Sequence, residues 1–302
     1  MAADCSTVIV SYNTYGLTRG AVRSALAAAP GLEHEVVVVD NDSPDRSAER
    51  LREAFAGDPR VRVIESGGNV GFSAANNVGA ARSTGRVLFF LNPDTVVHGD
   101  AVARLVAYLD AHPGAGAVGP HVLNADGSTQ PSTNSLETVR SVTRHLLALP
   151  PSRPALDRPQ AVDVVKGCAL AVRRDAFERV GGWDERYFMY AEEDELCLAL
   201  RRAGYENVFL PNAAITHYGG AASLDRYVEQ QVLAVRSAIA FRRRHRSRGL
   251  VGYSRALGAA AYGARAAVFP ILARLRPARG DEYRRRGAAA AAISRYLALD
   301  FS

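Results

Sequence analysis

Val87-Leu88-Phe89-Phe90-Leu91-Asn92-Pro93-Asp94 is the stretch on which the fold turns. Five consecutive apolar residues without alternation, ended by a proline, form the pattern of a short strand buried on both faces. Such a strand delivers a carboxylate to its C-terminal tip, where ligands of parallel sheets bind. A second acidic station, Glu192-Glu193-Asp194-Glu195, opens a helical stretch far along the chain. Two carboxylate stations across a cleft suit an enzyme that handles a metal-bound diphosphate and a hydroxyl nucleophile.

The same strand signal recurs on both sides. Residues 7–11, 35–39, 61–64 and 117–119 read as short strands, and residues 20–29, 47–55, 74–82 and 100–111 as helices between them. The alternation predicts an α/β fold with a mostly parallel central sheet and helices on both faces. Polar residues gather at the strand ends: Ser11-Tyr12-Asn13, Asp40-Asn41-Asp42-Ser43, Gly67-Gly68-Asn69-Val70-Gly71 and Asn92-Pro93-Asp94. Any one of these is explained by a turn or a helix cap, but four in register point hydrogen-bonding groups at one crevice. The glycine turn after the third strand lacks the G-x-G-x-x-G spacing and the first-strand position of a dinucleotide site, which argues against a Rossmann dehydrogenase.

With 302 residues and 48% hydrophobic content, the chain can bury a large core as one domain with an appendage. Cys5, Cys168 and Cys197 are odd in number and lack C-x-x-C spacing, the usage of reduced thiols in the cytoplasm. The first residues lack the basic and apolar regions of a signal peptide, and the reading expects a cytoplasmic protein. Charge is uneven. From residue 236 to 302, fifteen arginines stand against Asp281, Glu282 and Asp300, a net of +12 that leaves −6 for the preceding residues of a chain totalling +6. An acidic body with a basic tail does not fit a nucleic-acid binder. It fits a tail that meets anionic lipid.

The ordered succession of short motifs resembles family 2 glycosyltransferases of the GT-A fold. It runs from Val8-Ile9-Val10-Ser11-Tyr12-Asn13 through Val38-Val39-Asp40-Asn41-Asp42-Ser43, Asn69-Val70-Gly71-Phe72, Asn76-Asn77 with Gly79, and Leu91-Asn92-Pro93-Asp94. It continues through Gly181-Gly182-Trp183-Asp184-Glu185, Phe188-Met189-Tyr190, Glu192-Glu193, Leu196-Cys197-Leu198 and Arg201-Arg202-Ala203-Gly204-Tyr205 to His217-Tyr218-Gly219-Gly220. Within that family the chain is most similar to the bacterial rhamnosyltransferase-like branch. The resemblance divides the chain into a catalytic domain over 1–223, with a donor half at 1–120 and an acceptor half at 121–223, and a helical basic extension over 224–302.

The resemblance implies roles residue by residue. Asp40 is the acid for the base or ribose of a dTDP- or UDP-sugar, with Ser11, Asn13, Asp42, Asn69, Gly71, Asn76 and Asn92 lining the donor site. Asp94 matches the metal-binding acid of the D-x-D motif, and His217 completes the shell of Mg²⁺ or Mn²⁺. Asn92 departs from the family's first aspartate and removes a negative charge. Glu193 aligns with the catalytic base, a glutamate where aspartate is usual, with Asp194 as its rival. Glu192 and Glu195 position or tune it. Trp183, Asp184, Tyr190 and Glu192 are assigned to the acceptor, Trp183 as the leading member of an aromatic wall.

The implied activity is inverting transfer of a sugar, such as rhamnose or another deoxyhexose, to a hydroxyl of a glycan, lipid-linked or small-molecule acceptor. A nucleotidyltransferase and a catalytically silent sugar-binding subunit are the alternatives. The former wants a basic loop after the first strand, where Arg19 is the first basic residue; the latter draws on the departures at Asn92 and Glu193.

Other segments are expected as follows. Residues 124–127 form a hairpin turn, 150–154 an exposed Pro-rich linker, and 166–168 part of a strand on which Lys166 is a candidate phosphate contact. Residues 227–241 are helical. The Ala-rich segment 256–273 carries Arg265, which costs roughly 2.5–3.5 kcal/mol at a bilayer centre, and Pro270 interrupts it. Peripheral helices at the inner face of the cell membrane, or a homodimer contact, are the readings for the tail.

Overall fold

A computed structural model describes residues 3–136, 138–147, 157–219 and 226–299. The chain forms two compact units, one from 1–136, 155–188 and 192–222, the other from 137–154, 189–191 and 223–302. The helical unit therefore takes in two segments that the sequence reading placed in the acceptor half. The expected linker 150–154, Gly220 and the boundary at 223 lie outside the described residues.

The first unit opens with β1 (Cys5–Ser11), α1 (Tyr15–Ala27), β2 (His34–Asp40), α2 (Ser47–Ala54), β3 (Val61–Glu65), α3 (Phe72–Ala81) and β4 (Val87–Leu91). These strands lie parallel in the order β3-β2-β1-β4. Every residue of β1 and β4 is buried; β4 accordingly runs apolar without a break, and β1 admits only small hydroxyl residues beside its apolar ones, while the outer β3 keeps Arg62 and Glu65 in solvent. Strand order reverses between β1 and β4, so the crevice beyond Ser11 and Leu91 is a topological switch point.

Beyond β4 the sheet departs from simple alternation. β5 (Thr95–Val97), α4 (Ala101–Ala111), β6 (Ala115–Leu123) and β7 (Thr133–Asn134) are followed by β8 (Gln160–Val162), β9 (Val164–Val165) and β10 (Ala169–Arg173). Then come α6 (Arg174–Arg179), α7 (Glu192–Arg202) and β11 (Glu206–His217). β10 inserts antiparallel between β4 and β6, and β11 runs parallel to β6 and antiparallel to β5. The segment at 166–168 is a turn between β9 and β10, not part of a strand. The turn at 124–127 is as expected: Gly127 N–H donates to Asn124 O at 3.0 Å, and Gly127 has φ +80°.

Two cores sandwich the sheet. On one face Val36, Val38, Phe89 and Leu91 meet Val22 and Ala25 of α1 and Val102, Leu105 and Leu109 of α4. On the other, Val37, Val39, Leu88 and Phe90 meet Ala75 and Ala80 of α3, Trp183, and Leu196 and Leu200 of α7. Alternate residues of β2 and β4 serve opposite faces, as the pleat requires.

The helical unit contains α5 (Val139–Leu146), α8 (Tyr227–His245), α9 (Arg248–Leu275) and α10 (Gly280–Leu299). Ile239, Ile293 and Leu297 form its centre. Pro270 lies inside α9 and does not interrupt it, contrary to the sequence expectation.

Gly119 of β6 is a close-approach position, because a Cβ built there would lie 1.9 Å from Val165 Cγ1. Gly119→Ala is expected to destabilise the first unit by about 1–3 kcal/mol through overpacking, read as a lower urea midpoint at unchanged m-value.

Candidate active site

The parallel strands end on one edge, and their last side chains form the donor side of the crevice. Asp40, at the tip of β2, is 2% exposed. Its Oδ1 accepts from Ser43 N–H at 2.9 Å, while Oδ2 is buried with no hydrogen-bond partner among the described residues. A buried carboxylate oxygen left unsatisfied is costly and marks a place for an incoming donor. Asn13 and Asp42 are exposed and take left-handed backbone (φ 55° and 69°), and Ser43 Oγ accepts from Asn13 N–H at 3.0 Å. Asn69 is exposed and accepts through Oδ1 from Asn41 Nδ2 at 3.1 Å.

Two donor-side assignments, Ser11 and Asn76, are corrected by the structure. Ser11 is fully buried, its hydroxyl 3.1 Å from that of Thr14 and 3.0 Å from that of Thr18, so it knits β1 to α1. Asn76 is 1% exposed and donates back to Phe72 O at 2.9 Å within α3. Gly71 owes its glycine to the protein: at φ +89° a Cβ there would lie 2.6 Å from Phe188 O, which accepts from Phe72 N–H at 2.7 Å.

At the tip of β4 the Asn92-Pro93-Asp94 turn meets the end of β11. Antiparallel pairing sets His217 opposite Thr95, and Tyr218 N–H donates to Asp94 O at 2.9 Å. His217 Nε2 then lies 3.3 Å from Asp94 Oδ1 and 3.5 Å from Asn92 Nδ2. The ring is oriented from behind. Asn124 Nδ2 donates to Ser128 Oγ at 2.9 Å, so its Oδ1 accepts from Gln130 Nε2, also at 2.9 Å. That turns Gln130 Oε1 toward His217 Nδ1 at 2.7 Å, and Nδ1 carries the proton. In the neutral ring Nε2 presents a lone pair beside a carboxylate that is 6% exposed. Two electron-rich atoms facing each other, with the far imidazole nitrogen bonded to an amide oxygen, is the arrangement of a metal-ligating histidine and its outer partner. Asp94 and His217 with neutral Asn92 therefore fit a hard cation that takes its other ligands from phosphate and water. Among the described residues no three His, Cys, Asp or Glu side chains cluster to cage a metal by themselves.

The second station is brought to the first by the turn 166–168. Asn92 N–H donates to Cys168 O at 2.9 Å, and Gly167 packs on Glu193, where a Cβ would stand 3.3 Å from Glu193 Cβ. Cys168 is half-buried, and its thiol is pushed up to about 12, mainly by desolvation; Lys166 opposes the shift while the charges of Glu193 and Asp94 add to it. Glu193 is partly exposed, with Lys166 Nζ 3.8 Å from Oε1. Asp194 is half-buried in the same first turn of α7. Glu192, assigned to the acceptor from sequence, is 6% exposed with Oε2 unpartnered among the described residues. Burial first, and the neighbouring Glu193 charge second, hold its carboxyl well above the usual range. Glu195 is buried and accepts from Tyr187 Oη at 3.0 Å.

The proposed aromatic wall is corrected at its centre. Trp183 is 1% exposed and packs edge-on against Phe90 and Phe72, at centroid separations of 5.0 and 5.9 Å, as part of the core. Asp184 accepts from Arg186 N at 3.1 Å and Nε at 2.8 Å, a local turn contact. Tyr190 belongs to the helical unit and takes left-handed backbone, φ 69°. Sequence reasoning missed Gln130 and Asn77. The Asn77 amide brackets Trp183, accepting from its N–H at 3.0 Å and donating to its carbonyl at 2.9 Å.

A central sheet with a switch-point crevice, paired acidic stations and a histidine facing the first defines a nucleotide-sugar transferase of the GT-A class. The chain belongs to glycosyl transferase family 2, whose family model it matches over residues 6–181. It is 30% identical over 219 residues to an N-acetylglucosaminyl-diphospho-decaprenol L-rhamnosyltransferase of Mycobacterium tuberculosis, covering 65% of this chain and 70% of that protein. It is 31% identical over 225 residues to an uncharacterized protein of Sinorhizobium fredii, covering 72% of this chain but spanning only 24% of that protein's length. Among solved structures, a mannosyltransferase of Pyrobaculum calidifontis in complex with GDP-Man and Mn²⁺ superposes with a TM-score of 0.61 at 18% identity, covering 100% of this chain and 89% of that one.

Glu192 gives a pH signature. Its ordinary value is near 4.5 and its native value is raised, so between the two the folded state holds a proton that the unfolded chain has lost. Stability falls as pH rises through that window. Glu192→Gln removes this contribution, and urea melts from pH 4 upward are expected to show a smaller decline than the parent protein, with the variant more stable at pH 8.

Proposed function

We propose that the chain is an inverting transferase that moves a sugar, rhamnose or another deoxyhexose, from a dTDP- or UDP-sugar to a hydroxyl of a lipid-linked glycan. The observation that carries the reading is the pairing of Asp94 with an oriented His217 on one side of the 166–168 turn and Glu193 on the other. The unsatisfied Asp40 Oδ2 suits the N–H of a pyrimidine or a ribose hydroxyl. The rhamnosyl and lipid-linked parts draw on what the mycobacterial relative is named for.

The chemistry follows from these groups. Asp40 orients the nucleoside, and Asp94, His217 and Asn92 are the residues that would hold Mg²⁺ or Mn²⁺. A cation there supplies charge neutralisation for the departing diphosphate. Glu193 accepts the proton of the acceptor hydroxyl as its oxygen bonds to the anomeric carbon, on the face opposite the breaking bond to diphosphate. Glu192, buried and with its carboxyl held above the usual range, is a weaker source of a second charge against the hydroxyl's developing negative oxygen.

The helical unit is proposed to rest on an anionic membrane at the cytoplasmic face. α9 is long and apolar enough to cross a bilayer by length and composition. Its arginines argue for lying flat: Arg255 Nη2 donates to Leu297 O at 3.0 Å and Arg265 Nη2 to Leu146 O at 2.6 Å, within the unit. Val268, Ile271 and Leu275, spaced along one stripe, are 49%, 54% and 72% exposed. An exposed apolar stripe on a basic unit suits an interfacial helix.

Glu193→Gln is expected to lower kcat by about 10²- to 10⁴-fold in a nucleoside-diphosphate release assay while donor binding by calorimetry stays within about twofold; full activity would reassign the base to Asp194. Replacing Val268, Ile271 and Leu275 together by serine is expected to abolish flotation with phosphatidylglycerol vesicles. Unchanged flotation would remove the membrane reading.

A further inference from the structure

Lys166 is the only lysine in a chain with 37 Lys and Arg residues. Its backbone is fixed, the N–H donating to Ser132 O at 3.1 Å and the carbonyl accepting from Ala169 N–H at 3.3 Å. Its side chain reaches the crevice and is 31% exposed. The Asn134 amide is oriented so that its nitrogen donates to Thr133 O at 3.2 Å and its oxygen accepts from Lys166 Nζ at 2.6 Å. One ammonium N–H is thus used to aim the group. Glu193 Oε1 lies 3.8 Å away, beyond hydrogen-bond length, and a part-exposed pair at that distance contributes little to folding.

A compact ammonium with three rotatable donors is a point-charge binder of phosphate, where guanidinium prefers a planar fork. The position is on the base side of the turn, since neighbouring Gly167 packs on Glu193. The donor diphosphate is assigned to Asp94 and His217, reached from the other end of the turn through Asn92 and Cys168. We propose that Lys166, aimed by Asn134, binds a phosphate of the acceptor, which selects acceptors that carry phosphate near the reacting sugar. This rests on the transferase reading above for the identity of the acceptor side, not for the anion site itself.

A sole lysine makes the test direct. Growth on ¹³C,¹⁵N-lysine labels Lys166 alone and leaves its three N–H donors intact, and Lys166→Met removes the signal. The labelled protein is saturated with UDP and Mg²⁺ and then titrated with octyl diphosphate or, separately, with neutral octyl glucoside. The expected result is a shift of the Lys166 signal with octyl diphosphate alone. Lys166→Met should weaken octyl diphosphate binding by about 10- to 100-fold, and Lys166→Arg should restore most of it. A signal that moves with UDP and Mg²⁺ and not further with octyl diphosphate makes Lys166 a donor contact and overturns the proposal. A signal that moves with neither overturns it as well and leaves Lys166 as a companion of Glu193. If octyl diphosphate shifts the signal while no nucleotide sugar is turned over, the anion site stands and the transferase reading falls.

Discussion

The antiparallel entry of β10 between β4 and β6 is the constraint on which the site depends. Because Ala169 pairs with Leu91, the start of β10 and the end of β4 share one edge of the sheet. A parallel strand in that slot would begin at the opposite edge, and residues 166–168 would be a sheet's width away from Asp94. As built, the Asn92 N–H to Cys168 carbonyl bond closes the junction, and Gly167 presents a bare backbone to Glu193. β11 adds the second half of the argument through its antiparallel pairing with β5, which sets His217 beside Asp94. Backbone register, more than side-chain attraction, thus brings carboxylates from distant parts of the chain into one crevice.

Gathering acids this way has an electrostatic cost that the fold distributes. Asp94 faces an imidazole and an amide. Glu193 has an ammonium within ion-pair distance. Glu192, almost buried and beside the Glu193 charge, with Lys166 offsetting only part of the effect, has its carboxyl held well above the usual range. The α7 N-terminus favours negative charge in its first turn by about 0.3–1 kcal/mol per exposed group, too little to offset full burial of a carboxylate. Two adjacent glutamates therefore meet different surroundings, Glu192 buried and Glu193 part-exposed beside an ammonium.

How much of this was legible in the sequence follows the same physics. The central strands β2 and β4 announced themselves because burial on both faces demands unbroken apolar runs, β1 and β3 by their β-branched residues, and the polar tips announced the crevice. Sequence motifs do not say which way a side chain points. Ser11 sits at a strand tip yet turns into the α1 interface, Asn76 bonds back into its own helix, and Trp183 follows two glycines yet fills the core. β7, β8 and β9 have two or three residues each, too short for periodicity. Gln130 left no signal in a single sequence: an isolated glutamine in a polar loop becomes informative only once β11 brings His217 against it.

The amide at Asn92 gains a physical meaning from that geometry. An aspartate there would place a second negative group beside Asp94, which is nearly buried, and would need a cation present to offset the repulsion. Asn92 instead offers an N–H toward His217 Nε2 and leaves one carboxylate to be neutralised, so the crevice can stand without metal. On the transferase reading this shifts the burden of holding the cation to the donor diphosphate, which supplies the charge that Asn92 lacks. Cation and nucleotide sugar would then bind as mutually dependent partners, each raising the other's affinity by the same factor. The first acidic station is on this account half a site, completed by its own substrate.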